Sequence, residues 1–163
     1  PYKVWVSEIM LQQTQVSTVI PFYENFMKSV PDVVNLSKAN LDEVLNHWAG
    51  LGFYRRARNL HQTAKIITDK YHQVFPDNYE DLVTLPGIGE STAGAILALA
   101  FNKKGIILDG NVKRVVSRYL NVESNPRELK KNIKPFLHEN SPKKNYRSFG
   151  QGMMDLGLSL IHI

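Results

Sequence analysis

The sequence predicts an all-α fold, and three observations carry that prediction. Apolar residues recur at three- and four-residue spacing through most of the chain. Pro31, Pro76, Pro86, Pro126 and Pro142 fall between the periodic stretches, where a helix has to stop. Only Gly105-Ile106-Ile107-Leu108 reads as extended, and it is too short to build a sheet.

The elements follow in order. Residues 2–29 are amphipathic, interrupted around Gln12-Gln13-Thr14 and carrying Pro21. Asn40 with Glu43 three residues on makes a capping box before Val44, Leu45 and Trp48. Ala57, Leu60, Ala64, Ile67 and Tyr71 define a helix over residues 54–72. Further helices are expected at about 78–84, 90–102, 110–120, 127–139 and 145–160, joined by short loops. No internal repeat or low-complexity tract appears.

The length suits one domain or two small lobes sharing a core. A net charge of +5 is mildly basic, as a partner carrying phosphates would favour, though proteins with other roles share it. The sequence has no cysteine, which excludes disulfides and cysteine metal sites within it. No apolar run approaches membrane-spanning length and no signal-peptide pattern opens the chain. The chain begins at Pro1, without methionine and in mid-pattern, so it is expected to be a piece cut from a longer protein.

Leu85-Pro86-Gly87-Ile88-Gly89, followed by Ser91-Thr92-Ala93-Gly94-Ala95-Ile96-Leu97, is the most informative run. Two glycines two apart allow a tight turn with amides outward, and the apolar stretch after them reads as a helix start. A glycine turn feeding a helix N-terminus offers N–H groups and a positive dipole end to a phosphate. With Tyr79-Glu80-Asp81-Leu82-Val83 reading as helix before it, the run has the shape of a helix-hairpin-helix at about 78–97. A plain structural turn is the competing reading.

Two carboxylates stand out. Glu8 shares a helical face with Val4, Trp5 and Leu11, where apolar neighbours would raise its proton affinity and prepare a general acid. From pattern alone the plainer reading, a helix-surface residue at the edge of the stripe, stands ahead of it. Asp109 closes Ile106-Ile107-Leu108 and is placed to cap the next helix by accepting from the Val112 N–H. It could also sit beside developing positive charge, and the two roles are compatible.

Gln12 and Gln13 offer adjacent amides to a base stack, or are ordinary exposed residues. Arg55, Arg56 and Arg58 follow Phe53-Tyr54, which fits a nucleic-acid edge and a solvated helix face alike. Lys103-Lys104, Lys113-Arg114 and Lys143-Lys144 could add phosphate contacts. The five histidines show no ligand spacing, and Met153-Met154 reads as core.

Together these residues resemble the adenine DNA glycosylases of the MutY type. The resemblance rests on Pro1 through Val16, on Gly50-Leu51-Gly52-Phe53-Tyr54-Arg55-Arg56-Ala57-Arg58-Asn59-Leu60, on the hairpin, on Leu108 through Val115, and on Phe149 through Gly157. These long motifs in order, from Pro1 to about Gly157, make it specific. The family belongs to the helix-hairpin-helix glycosylases, built as two helical lobes with a cleft between them. The resemblance implies that residues 1–104 form a six-helix-type lobe containing the hairpin, and that 105–163 contribute a second lobe.

It also implies hydrolysis of the N-glycosidic bond of adenine mispaired with 8-oxoguanine or guanine, after the base leaves the stack. Glu8 would protonate adenine N7, Asp109 would stabilise the sugar cation, and Asn111 would help orient it. The two acids would face each other across the cleft. Gln151 would read the edge of the flipped adenine, with Gln12 and Gln13 probing the vacated space. Phe53 stands where the family usually has tyrosine beside the damaged guanine, so a hydroxyl is lost and stacking kept. Gly87, Gly89 and Arg58 would contact the DNA backbone. Carbonyls of Val83, Leu85 and Ile88 would hold a monovalent cation. Ser91 replaces the amine nucleophile, a lysine, of bifunctional relatives such as endonuclease III, which implies a monofunctional enzyme.

Most relatives carry a 4Fe–4S cluster on four cysteines. None is encoded here, and the first ligand would fall near Ile161, so the chain is expected to be truncated before the cluster loop. The C-terminal 8-oxoguanine-recognition domain and the opening segment of the adenine pocket are not in the sequence, and Glu90 would repel phosphate slightly. The expected partner is double-stranded DNA with mispaired adenine, bound by a monomer of bacterial, cytoplasmic and DNA-associated setting, with no membrane. Two rivals are a bifunctional pyrimidine-damage glycosylase and a non-catalytic DNA-binding module.

Overall fold

The computed structural model describes residues 1–121 and 126–161, with backbone alone over 126–131. In chain order the elements are α1 (Tyr2–Leu11), α2 (Val16–Ser29), α3 (Val33–Lys38), α4 (Leu41–His47), α5 (Arg55–Lys70) and α6 (Tyr79–Leu82). They continue as α7 (Glu90–Ala95), a π-helical turn (Ile96–Ala100), α8 (Gly110–Tyr119), α9 (Pro126–Asn140) and α10 (Tyr146–Ser159). No strand occurs among the described residues. Two compact units result, Pro1–Gly89 and Glu90–Ile163. The first ends at the second hairpin glycine.

In the first unit α5 packs against α3, α4 and α1, and α2 packs against α1 and α4. Trp5, Met10, Phe26, Leu36, Trp48, Leu60 and Ile67 are almost wholly buried. Each such side chain contributes about 1.5–3 kcal/mol of hydrophobic stabilisation. The Tyr2 hydroxyl donates to the Val30 carbonyl at 2.7 Å, joining the start of α1 to the residue after α2. The expected capping box is formed: Asp42 N–H donates to Asn40 Oδ1 at 3.1 Å and Asn40 N–H to Glu43 Oε2 at 3.1 Å.

Helix α3 was not expected. Asp32 caps it, accepting from the Asn35 N–H at 2.8 Å, and Val33 and Leu36 are buried. Its six residues are too few for a periodic signal. Helix α5 stops at Lys70 rather than 72, because His72 and Gln73 take φ of 51° and 68°.

In the second unit α10 packs on α8 and on the π-helical turn. Ala95, Ala98, Ile107, Leu108, Val112, Val116, Ile133 and Leu137 form its core, with Met153 and Met154 packed against it as the sequence implied. Residues 105–108 have no strand partner among the described residues. Instead they lie directly on α7. A Cβ on Gly94 would run into the Ile106 carbonyl, and one on Gly105 into the Gly94 carbonyl. Pro126, expected between helices, opens α9. Proline suits a first helical turn, where its missing N–H would lack a partner in any case.

Candidate functional site

The predicted site residues are divided between the two units. In the first, Glu8 lies on α1 and is half-buried, as are Val4 and Leu11 on the same face. The helix buries Trp5, Val6, Ile9 and Met10, so Glu8 stands at the border of its apolar side. Helix α1 ends at Leu11, and the Thr14 N–H donates to the Leu11 carbonyl at 3.3 Å. Gln13 is exposed with φ of 56°, a left-handed conformation uncommon outside glycine. Phe53 follows Gly52 in a second turn, has φ of 52°, and leaves 57% of its surface exposed.

Arg58 and Arg55 are exposed, but Arg56 is not, and it belongs to neither reading the sequence allowed. Only 8% of it is accessible. Its guanidinium donates to the carbonyls of Met10 at 2.8 Å, Ile9 at 3.3 Å and Gly52 at 3.2 Å, and to that of Gln12. Burial lowers its pKa from the ordinary value. The signal was present, since Arg56 is in phase with Leu60, Thr63 and Ile67, all buried on α5.

The turn before α7 is built on the first unit. Asn78 caps α6 through the Asp81 N–H at 2.8 Å, and Leu82, Leu85 and Ile88 are buried. Thr63 of α5 donates to the Pro86 carbonyl at 2.9 Å. Gly87 has φ of 80°, and a Cβ there would lie 2.9 Å from Asn59 Cβ, so backbone and packing both require glycine. Gly89 is different: a Cβ there would meet nothing within 4 Å. The Leu85 carbonyl accepts from the Ile88 N–H at 3.1 Å.

In the second unit Glu90 opens α7, and Lys134 Nζ lies 3.6 Å from its carboxylate, offsetting the negative charge expected beside the hairpin. Ser91 Oγ accepts from the Leu108 N–H at 3.0 Å. That bond fixes the residue preceding Asp109. Asp109 caps α8 as predicted: Oδ1 accepts from the Val112 N–H at 2.8 Å, and Oδ2 accepts from Asn111 Nδ2 at 3.1 Å. Arg114 donates to Asn111 Oδ1 at 2.9 Å and to the Gly157 carbonyl at 2.7 Å. A Cβ on Gly157 would collide with Asn111. Gln151 is exposed on α10, its amide donating to Asp155 at 2.9 Å. Arg114 was read from the sequence only as a possible phosphate contact, and neither the close approach at Gly157 nor the Ser91 clip was singled out.

The sequence has no cysteine, and no group of His, Cys, Asp or Glu among the described residues could hold a metal ion. These residues therefore do not fit an iron–sulfur cluster. Among them, no helix is long and apolar enough to cross a membrane.

An all-α chain with a glycine turn feeding a helix, and a carboxylate capping the helix after it, defines a class. The chain belongs to the HhH-GPD superfamily of base excision DNA repair proteins, whose family model matches residues 6–139. It is 48% identical over 157 residues to an adenine DNA glycosylase of Buchnera aphidicola subsp. Baizongia pistaciae, covering 96% of this chain and 45% of that protein. It is 44% identical over 126 residues to an adenine DNA glycosylase of Homo sapiens, 77% of this chain and 23% of that one. The chain thus spans less than half the length of these relatives. Among solved structures, a thermostable thymine-DNA glycosylase matches with TM-score 0.82 at 27% identity, over 100% of this chain and 76% of that one. A trapped endonuclease III–DNA covalent intermediate matches with TM-score 0.80 at 22% identity, over 93% and 70% of the two chains, a likeness of fold alone.

Proposed function

We propose that this chain is the catalytic region of a monofunctional DNA glycosylase that hydrolyses the bond between adenine and deoxyribose, opposite 8-oxoguanine or guanine. The observation that carries it is 48% identity, over almost the whole chain, with a protein named adenine DNA glycosylase. Glu8, at the apolar border of α1, donates a proton to N7 of an extruded adenine, and the base departs neutral. Cationic charge then develops on the sugar. Asp109 is the counter-charge, and its two donors, Val112 N–H and the Asn111 amide, keep the carboxylate from swinging away. Asn111 orients that carboxylate. Water completes the hydrolysis, because Ser91 supplies no amine.

Gln151, Gln12, Gln13 and Phe53 read the adenine and the stack around it. Gly87, Gly89 and Arg58 hold the DNA backbone. The open space at Gly89 supports this, since the fold itself leaves room for a side chain there. A monovalent cation on the Val83, Leu85 and Ile88 carbonyls would add to that grip. The partner is duplex DNA bound by a monomer.

The test uses the full-length protein and a duplex with adenine opposite 8-oxoguanine, with release of free adenine read by chromatography and borohydride added in parallel. Adenine release without a trapped adduct is expected. A trapped adduct, or release of thymine from a G·T duplex instead, overturns the reading. Gly89→Val should weaken binding to every duplex about equally, with folding unchanged, because phosphate contacts carry no sequence information.

A further inference from the structure

Of the three turns of the first unit that carry exposed left-handed residues other than glycine, those at Gln13 and Phe53 share one anchor, and the third, at His72–Gln73, lies apart from it. Gln13, φ 56°, follows the Gln12 carbonyl; Phe53, φ 52°, follows the Gly52 carbonyl. Both of those carbonyls accept from the Arg56 guanidinium. The same group reaches Thr14 Oγ1 at 3.1 Å and the Leu51 carbonyl at 3.5 Å. It also lies over two rings, 5.7 Å from the Trp48 centroid and 5.1 Å from that of Phe53. Left-handed non-glycine backbone persists only where its surroundings over-determine it. Here one buried cation fixes the peptide before Gln13 and the peptide before Phe53.

We infer that Arg56 is a positioning residue that clamps the Gln12–Thr14 turn and the Gly52–Phe53 turn into a single rigid edge, so that Gln13 and Phe53 are presented to DNA in fixed register. The inference rests on the DNA-facing roles proposed above for those two side chains. Arginine is required because its planar fork serves acceptors on two segments at once while its face stacks on Phe53. A lysine keeps the charge but, as a compact ammonium, cannot span both turns. Because the guanidinium is buried and its acceptors, Thr14 Oγ1 apart, are backbone carbonyls, Arg56 acts on geometry rather than on substrate.

The first test reads backbone motion and needs no activity. In Arg56→Lys, amide hydrogen exchange should quicken in both turns, residues 12–15 and 50–54, while the middle of α5 keeps its protection. Thr14→Val removes one side-chain acceptor of Arg56 and the hydroxyl's own bond to the Gln12 carbonyl, and should loosen residues 12–15 alone. Unchanged exchange in either turn of Arg56→Lys, or loss of its cooperative fold, overturns the assignment. The second test is a cycle in the full-length protein, with Arg56→Lys, Phe53→Ala and the double variant assayed for adenine release. Each single change should slow release on the order of tenfold, a cost typical of misplaced positioning groups. The double variant should be no slower than the worse single, because clamp and ring act as one unit. Multiplied losses overturn the clamp. If the wild-type protein releases no adenine, the glycosylase reading fails, and hydrogen exchange still decides the role of Arg56.

Discussion

Glu8 and Asp109 are held in opposite ways. Asp109 is fixed by its own neighbours in sequence: it caps α8, and the Val112 N–H and Asn111 amide that bind it lie within three residues. Glu8 sits mid-helix on α1, and the place of that helix comes from the burial of Trp5, Ile9 and Met10 in the first unit. A carboxylate fixed by a local motif keeps its geometry as long as its helix forms. One fixed by packing depends on the whole core around it. Of the roles proposed above, the stationary counter-charge belongs to the first arrangement and the proton donor to the second.

The largest effect should come from Glu8→Gln, which keeps size and removes the proton donor. Adenine release in the full-length protein is expected to fall on the order of 10²–10⁴-fold, with duplex affinity kept. Unchanged release would return Glu8 to the role of a surface residue. Asp109 can be dissected further, because asparagine caps as well as aspartate. Asp109→Asn should therefore fold normally yet lose release by roughly 10²–10³-fold. Asp109→Ala should lose the same activity and about 1 kcal/mol of stability besides, read by denaturant unfolding. Equal stability losses in the two variants would mean that the charge, not the cap, holds α8.

Gly157→Ala sharpens the contrast from the other side. A Cβ there meets Asn111, so α10 must shift from the first turn of α8, at a cost of about 1–3 kcal/mol. Release should fall with it, while exchange protection in α1 stays as it was. The smallest effect is one of pH on the first unit. His61 is buried, with Nε2 3.0 Å from the Ala39 carbonyl, and burial lowers its pKa from 6.5. The unfolded chain then binds the proton more readily, so stability is complete above about pH 6.5 and declines as pH falls through the folded value. His61→Gln should be less stable at pH 7 and show a flatter decline in Tm between pH 7 and 5.

Much of this was legible in the residues. The helix period, the Asn40–Glu43 box and the Asp109 cap depend on contacts within four positions, and each appears where the sequence places it. Helix α3 was missed because six residues give too little period to read, although Asp32 and Asn35 carried its cap. Arg56 was misread because basic residues in a row look alike, and only the phase of α5 separates the buried one from Arg55 and Arg58. The Gly157 contact joins residues more than forty apart, a distance over which no local rule operates.

By itself, then, the sequence determined the all-α class, the bounds to within a turn of the helices it predicted, and the capping role of Asp109, because those are decided by short-range hydrogen bonds and side-chain period. Tertiary structure alone decided that Arg56 turns inward, that Gly87 is tied to α5 while Gly89 is open, and that Arg114 joins Asn111 to α10. These depend on which distant backbone groups arrive beside a given side chain. That is set by packing of the whole unit rather than by any neighbour along the chain.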